Sequence, residues 1–465
     1  MVYKVPDNYF FRLHHVRPRF KNNIEDVLIF IASEISKLDR MPKDDFRSEL
    51  NQSIRRYPDN ITKAEKTIDN WRTEISSLFG FVIQHEDSTS EPSIRALELA
   101  VDEDLVAFFK TFLYFFQYPG GHVKPKTIHD VVTAGISFKP LDYLLKLLRH
   151  ARKSGEKYPG INKAEATHCI FNDLRVTRDK RNVEDTWQLI VDNRNMGIEY
   201  DWEGDVIRYA GDILDYMEIA NLVRSHARFY YSNKLENQAI DWILKNPIFF
   251  TDYAKLDDLN AIGDTNFLWF DYVNQNLPEN IFKTDILAYM SENEEEYQQR
   301  QDDAIFVSQD DEFDPRTTKD IGDRGEALVI AHEKMRVKIV GRSDLLHLIK
   351  HIPTHLALGY DVKSVEIDDG THRFIEVKTT ISNRSLDFSR FHLTTNEWLS
   401  AETHGSRYYV YRLMISKENK RLFILCDPVR LYKHDKIKMI PRNGAEIVFQ
   451  KDSGEYVELL EWQND

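Results

Sequence analysis

Apolar positions recur at helical spacing through the first part of the chain. Between Asn22 and Leu38, the residues Ile24, Val27, Leu28, Ile31, Ile35 and Leu38 share a face and predict an amphipathic helix. Thr62-Lys-Ala-Glu65 has the form of a capping box, with Ile68, Trp71, Ile75 and Leu78 following on one side. From Asp102 to Tyr118 the chain is apolar nearly all round, with Phe108, Phe109, Phe112, Phe115 and Phe116. A buried helix is expected there, with a base-stacking platform as the lesser alternative. Pro119-Gly120-Gly121 ends it.

Residues 124 to about 250 change character. Leu141, Leu144, Leu145 and Leu148 predict an amphipathic helix, and Asn162-Lys-Ala-Glu165 caps another. A basic loop, Arg175 to Arg181, leads to a helix from Glu184. In Val223–Asn233, Phe229 and Tyr231 alternate with polar positions beside Arg224 and Arg228. Helices that end in a short basic hairpin form the pattern of a winged helix. Between Lys146 and Asn182 stand about ten basic and about four acidic residues. A phosphate-contacting surface is the functional reading of this excess, with Arg175, Arg178, Lys180, Arg181, Arg224 and Arg228 as candidate DNA contacts. A solvated helix face with i,i+4 ion pairs is the plainer one.

Residues 285 to 315 hold roughly ten acids against one arginine and no sustained period, as expected of an exposed interdomain linker. A lesser possibility is that this stretch shields a basic DNA channel. In that case, deleting Glu292 to Asp311 raises DNA affinity.

The pattern then turns to strands. After a helix through Glu326, Ala327, Leu328, Ile330 and Ala331, a second helix is expected near Asp344 to His351, stopped by Pro353. Gly359–Ile367 reads as a strand, Asp368-Asp369-Gly370 as a hairpin turn, and His372–Thr380 as the returning strand. A short helix at Thr395–Trp398 and strands at Arg407–Ile415 and Arg421–Asp427 complete an α/β sheet of mixed direction. The expected organisation is a helical domain (1–122), a winged-helix-like recognition domain (123–250), an acidic linker region (251–315) and an α/β domain (316–465).

Composition narrows the function. The chain has 465 residues, 42% hydrophobic and 12% aromatic, which suffices for two or three packed domains and excludes wholesale disorder. The formal net charge of −14 excludes a uniformly basic, histone-like binder but leaves room for a local basic patch. Two cysteines, Cys169 and Cys426, cannot build a disulfide framework. The first fifteen residues have no signal-peptide core, and no run approaches the roughly 18 apolar residues of a membrane span. A soluble, cytoplasmic protein without membrane attachment is expected.

Candidate chemistry sits in Phe374-Ile375-Glu376-Val377-Lys378. Strand side chains alternate faces, so Glu376 and Lys378 point one way and Ile375 and Val377 the other. Opposite charges on an inner strand are costly to bury unless they are paired or bind a metal. Asp361, across the tight hairpin, makes a second carboxylate, and Glu326 on the preceding helix can supply a third. Two carboxylates with waters and a phosphate oxygen suit Mg²⁺. Lys378 can then orient or deprotonate the attacking water. His347, His351 and His355 would lie on one face of the expected helix, but Pro353 interrupts the register and no further ligand completes a set, which favours a structural or surface role. His14-His15, and Cys169 beside His168, are read as structural. No GxxxxGK[ST], GxSxG or HExxH motif is present.

Together, Gly325-Glu326-Ala327, Gly359–Ser364, Ile375–Lys378, Leu393–Trp398, Ala401, Gly405 and Tyr408–Arg412 resemble the PD-(D/E)xK nuclease superfamily. They resemble most closely the nuclease-like domain at the C-terminus of NO VEIN-type proteins. The resemblance covers about a third of the chain. It implies a restriction-endonuclease-like fold and a metal-dependent phosphodiesterase core with Asp361, Glu376 and Lys378 catalytic and Glu326 as the helix acid. More weakly, Phe138 through Tyr231 resembles the recognition regions of AlwI-like restriction endonucleases, which use winged-helix modules.

The first functional expectation is a Mg²⁺-dependent endodeoxyribonuclease of restriction or phage-defence type. It would act on double-stranded DNA as a homodimer, at least on DNA, with a companion methyltransferase or helicase conceivable. The rival is a DNA-binding adaptor whose nuclease-like domain is an inert docking module. A third reading changes the substrate to branched DNA or RNA.

Overall fold

The structure is a computed structural model. It describes residues 2–13, 18–58, 60–202, 206–255, 258, 261–262, 265–278, 281–308, 321–353, 356–387, 389–441 and 444–463. His14, His15 and His355 lie outside these residues. The chain forms two compact units: Met1–Val101 with Leu105–Phe282, and Asp102–Asp104 with Lys283–Asp465. The boundary expected at 122/123 falls inside the first unit. Among the described residues no helix is long and apolar enough to cross a membrane.

The first unit is mainly helical. The periodic stretch after Asn22 folds as the Ile24–Ile35 helix, with Ile24, Val27, Leu28, Ile31 and Ile35 buried. Three short strands, β1 (Met41–Pro42), β2 (Val82–Gln84) and β3 (Thr89–Pro92), form an antiparallel sheet in the order β1-β3-β2. The capping box at Thr62 does not form. Ala64 is the N-cap of the Glu65–Thr73 helix, and Glu65 turns its carboxylate to Asn51 and Arg55 instead. The one at Asn162 does form: Glu165 N donates to Asn162 Oδ1 and Asn162 N to Glu165 Oε2, both at 2.9 Å.

The phenylalanine-rich stretch folds as the Leu105–Phe115 helix, three residues shorter than expected at each end, and Glu103 (φ +48°) separates it from the Ile94–Asp102 helix. Phe108, Phe109, Phe112, Phe115 and Phe116 are all buried, and Phe109 stacks on Tyr216 at 5.5 Å. Rings enclosed by their neighbours cannot stack on bases, so the buried-helix reading holds and the platform is excluded. Helices Pro140–Lys153 and Val183–Asn195 pack together. A hairpin of β4 (Val223–His226) and β5 (Phe229–Ser232) follows the Val206–Ile219 helix. Its tip, Ala227-Arg228, has positive φ at both residues, the twist a two-residue hairpin loop requires.

The second unit is built on a mixed sheet. Its strands are β6 (Lys350–His351), β7 (Val362–Val365), β8 (His372–Ile381), β9 (Arg390–Leu393), β10 (Tyr408–Ile415), β11 (Lys420–Cys426), β12 (Ile437–Pro441), β13 (Ala445–Phe449) and β14 (Glu455–Glu458). Six of them form one sheet in the order β14-β11-β10-β8-β7-β6, and β12-β13-β9 form a second. Among the described strands of the six-stranded sheet, only β8 and β10 run parallel. Parallel neighbours need a crossover, and here it carries β9 and the Thr395–His404 helix.

That helix packs with Phe374, Tyr408, Val410, Phe423 and the second sheet in one apolar cluster, which holds Ala401 from the helix itself. The Ile321–Ile339 helix also packs on β8. Gly325 lies so close to the strand that an added Cβ would stand 1.9 Å from Thr379 Oγ1.

Two expectations differ. Asp344–His351 is helical only in part: Ser343–Leu348 form a 3₁₀-helix, and Lys350–His351 pair with β7. His347 and His351 therefore do not share a helical face. In the acidic stretch, Ile286–Met290 and Glu294–Ser308 are helical. Asn293 caps the second by accepting from Glu296 N at 2.9 Å, and Arg300 pairs with Glu296 at i,i+4 and with Glu461.

Candidate functional site

Strand β8 is flanked on both sides, so charges on it are buried unless the ends of its neighbours open a space. The register pairs Val362 with Ile375; one step further sets Asp361 opposite Glu376. Strand β7 stops at that point, and the Asp361 side chain takes over the ladder: its Oδ2 accepts the Val377 N–H at 2.8 Å. Gly359 (φ +75°) brings the entering loop against the Thr395–His404 helix, where a Cβ would stand 2.6 Å from Asn396 O. Two bonds clamp this approach: Asn396 Nδ2 donates to Ala357 O at 2.6 Å and Tyr408 OH to Gly359 O at 3.0 Å.

Glu376 is 3% exposed. Lys378, on the same face, brings its Nζ to 2.7 Å from Glu376 Oε1 and 3.1 Å from Glu397 Oε2. Glu397 belongs to the capping box of its helix, in which Thr394 N donates to Glu397 Oε2 at 2.9 Å and Glu397 N to Thr394 Oγ1 at 3.3 Å. Glu326 is buried on its helix and accepts from His351 Nε2 across 2.7 Å. The expected residues Asp361, Glu376 and Lys378 thus share one end of the sheet, joined by Glu397, which the sequence reading quoted only as part of a motif.

The protonation states follow from burial and crowding. Burial, then the nearby Glu326 charge, pushes Asp361 up to about 7 against the Val377 N–H and Lys378. Burial, with Asp361 and Glu397, raises Glu376 well above the carboxylate range, although Lys378 opposes this. Burial disfavours charge on Lys378, but Glu376 and Glu397 outweigh it and hold the ammonium above its ordinary value. Burial also works against ionised Glu397, yet Lys378 and the Thr394 N–H keep it below the usual range. Burial lowers His351, and the bond and charge of Glu326 more than restore it.

Whether Mg²⁺ fits depends on the donors. Among the described residues no group of three or more His, Cys, Asp and Glu side chains is placed to hold one ion, so Glu326 is not gathered with Asp361 and Glu376. Asp361 and Glu376 do fit as a pair. Burial and neighbouring carboxylates make both costly to ionise, with Asp361 acting directly on Glu376; a cation relieves that cost, and Mg²⁺ is commonly held by one or two carboxylates and its own waters.

The first unit holds a groove of about 640 Å³ between the Pro140–Lys153 helix and the 176–184 segment. Six basic side chains line it (Lys139, Lys146, Arg149, Lys153, Lys180 and Arg181) against Asp142 and Glu184, over a floor that includes Phe138, Val176 and Leu244. Burial lowers Lys139 to about 8.

Of the six expected DNA contacts, Lys180 and Arg181 line this groove. Arg181 also lies 3.4 Å from buried Asp173, and Arg175 bonds that carboxylate through Nε and Nη2. Arg178 pairs with Asp179 at 2.7 Å. Arg228 is exposed at the hairpin tip, and Arg224 sits on β4. Lys146, Arg149 and Lys153 were legible only as part of the local basic excess. Their i,i+3 and i,i+4 spacing on an amphipathic helix was the signal that could have singled them out.

Comparison with known proteins gives two family matches. The family described as "Protein NO VEIN, C-terminal" matches residues 325–425, so this part of the second unit is similar to that domain. No curated protein matches. Among solved structures, the crystal structure of pyrene- and phenanthrene-modified DNA in complex with the BpuJ1 endonuclease binding domain is similar. It is 24% identical, has a TM-score of 0.52, and covers 58% of this chain and 100% of that one, which establishes likeness of fold. The stretch in which a restriction-endonuclease resemblance was expected, Phe138–Tyr231, falls inside residues 3–270, which a restriction-endonuclease family model matches. The family described as "Restriction endonuclease BpuJI - N terminal" matches residues 3–270, more than half of the chain, and the chain belongs to that family.

Proposed function

We propose that the chain is a Mg²⁺-dependent endodeoxyribonuclease of restriction or phage-defence type, with a recognition unit at the N-terminal side and a PD-(D/E)xK cutting unit at the C-terminal side. The observation that carries this reading is the placement of Asp361, at the end of β7, opposite Glu376 on the inner strand β8, with Lys378 beside Glu376. A buried, mutually repelling pair is costly to the fold, and a cation-dependent role accounts for that cost.

Asp361 and Glu376 would hold Mg²⁺. When bound, the ion supplies charge stabilisation for a phosphoryl oxygen and a lower pKa for water. The chain's own residues do the rest. The Val377 N–H fixes the Asp361 carboxylate, and Lys378, charged and two-thirds or more enclosed, orients the attacking water and offsets negative charge at phosphorus. Glu326, tied to His351, acts from behind Asp361.

Double-stranded DNA is the proposed substrate. The basic groove supports phosphate contact, with Lys180 and Arg181 at its loop side and Lys146, Arg149 and Lys153 on its helix. Helices followed by the exposed Ala227-Arg228 hairpin support a winged-helix reading of the recognition unit. The similar solved structure is that of a binding domain with DNA. Cutting both strands calls for two sites, so a homodimer on DNA belongs to the proposal, as do a cytoplasmic setting and a companion methyltransferase.

One observation favours the adaptor reading instead: Glu326 is engaged by His351, which leaves two carboxylates rather than three. Asp361→Ala and Glu376→Ala decide between them. The nuclease reading expects both to lose cutting in Mg²⁺ while holding duplex DNA normally in Ca²⁺. Variants that bind DNA like the parent, beside a parent that never cuts, favour the adaptor.

A further inference from the structure

We propose that Glu397 is the positioning residue for Lys378, keeping its ammonium in place when Glu376 turns to a divalent cation; this rests on the nuclease reading. Lys378 has two anchors, Glu376 at 2.7 Å and Glu397 at 3.1 Å. A lysine side chain has much rotamer freedom to lose, so its position depends on its partners. Glu376 alone is a poor anchor, because the same carboxylate must also serve the cation. Once it does, its pull on Lys378 is cancelled and the cation repels the ammonium.

Glu397 stands outside that conflict. It reaches the site from another element, the Thr395–His404 helix, and its Oε2 is fixed by the Thr394 N–H at 2.9 Å. The same helix secures the loop that carries Asp361, through Asn396 to Ala357 O. One rigid element therefore sets both the carboxylate and the lysine of the site. The formal charges agree. With a cation bound and its carboxylates ionised, Asp361, Glu376 and Glu397 against Lys378 leave two negative charges, the complement of one divalent ion, beside the Glu326–His351 pair. Without Glu397 the remainder is one, and Lys378 competes with the ion for Glu376.

The test uses the full-length protein, Mn²⁺ alone as the probe in calorimetric titration, and single-turnover cleavage of duplex DNA. Glu397→Gln is expected to weaken Mn²⁺ binding about tenfold and to slow cleavage at saturating Mn²⁺ by about tenfold or more, with KM for DNA unchanged. Glu397→Asp, which keeps the charge, recovers part of both and carries the comparison if the Gln variant does not fold. In a Lys378→Met background the Gln substitution has no further effect. Thr394→Ala, which weakens the cap, lowers the melting temperature and leaves Mn²⁺ affinity alone.

Parent-like Mn²⁺ binding and cutting by Glu397→Gln overturn the proposal. So does an undiminished affinity loss in the Lys378→Met background, which would make Glu397 act on the cation itself. A parent protein that neither binds Mn²⁺ nor cuts overturns the nuclease reading and the proposal with it.

Discussion

Gly325→Ala tests the packing that sets the candidate site. In the interior of a helix, alanine ordinarily stabilises relative to glycine by about 1 kcal/mol. Here the sign should reverse. The new Cβ would stand 1.9 Å from Thr379 Oγ1, 2.9 Å from its Cβ and 3.2 Å from its Cγ2. Thr379 is β-branched and buried on an inner strand, so it has little room to turn away. The helix must therefore move outward by an ångström or more. Overpacking of this kind costs about 1–3 kcal/mol, and with so short an approach the upper end applies. Set against the propensity gain, the net expectation is a loss of about 2 kcal/mol, or about 4–8 °C in the melting transition of a unit this size. Urea and thermal unfolding of the full chain, followed by circular dichroism, would measure it. Adding Thr379→Ala should restore about 1 kcal/mol, because Oγ1 and Cγ2 leave while Cβ stays. A variant as stable as the parent, or more so, would refute the close approach and with it the account of how the Ile321–Ile339 helix is set against β8.

Other perturbations bear on separate parts of the account. Lys146→Glu with Lys153→Glu should weaken duplex DNA binding and reduce the salt slope of log Kd by about two, read by fluorescence anisotropy at several ionic strengths; an unchanged slope places the phosphate surface elsewhere. Glu74 is pushed up to about 7 by burial, only partly offset by the Arg19 N–H and guanidinium, so its folded-state pKa exceeds its unfolded one. Its contribution to stability is then present below about 4.5 and lost as pH rises to about 7, and Glu74→Gln should gain about 3 kcal/mol on the parent above pH 7 and nothing below pH 4.5 in urea titrations. Lys378→Ala should slow the chemical step in rapid-quench assays by about a hundredfold while DNA binding in Ca²⁺ persists; parent-like cleavage would remove the water-orienting role.

The second unit was the more legible in the sequence. Alternation in His372–Thr380 and the apolar Arg407–Ile415 run each name a strand, and the Asp368-Asp369-Gly370 turn sets Asp361 on the strand opposite Glu376 from the pattern alone. The start of the phenylalanine-rich helix is three residues later than its pattern suggests, because Glu103, among the acids Asp102-Glu103-Asp104, takes a left-handed conformation that local pattern does not announce. Asp344–His351 has helical spacing, yet pairing with β7 draws Lys350 and His351 into the sheet, a tertiary effect that local pattern does not carry. The Thr62 box failed for a related reason: Asn51 and Arg55 of a neighbouring helix claim the Glu65 carboxylate first. Glu397 was visible only as part of a motif, since its bond to Lys378 spans nineteen positions. Arg175 and Arg181 read as free basic residues because nothing local marks Asp173 as a buried partner to both.

Incubation of the purified protein with unmethylated phage DNA and Mg²⁺, beside Glu376→Ala, tests the central claim most directly. The account predicts discrete fragments from the parent and intact DNA from the variant. Intact DNA from both, with binding retained, or equal cutting by both, would contradict it.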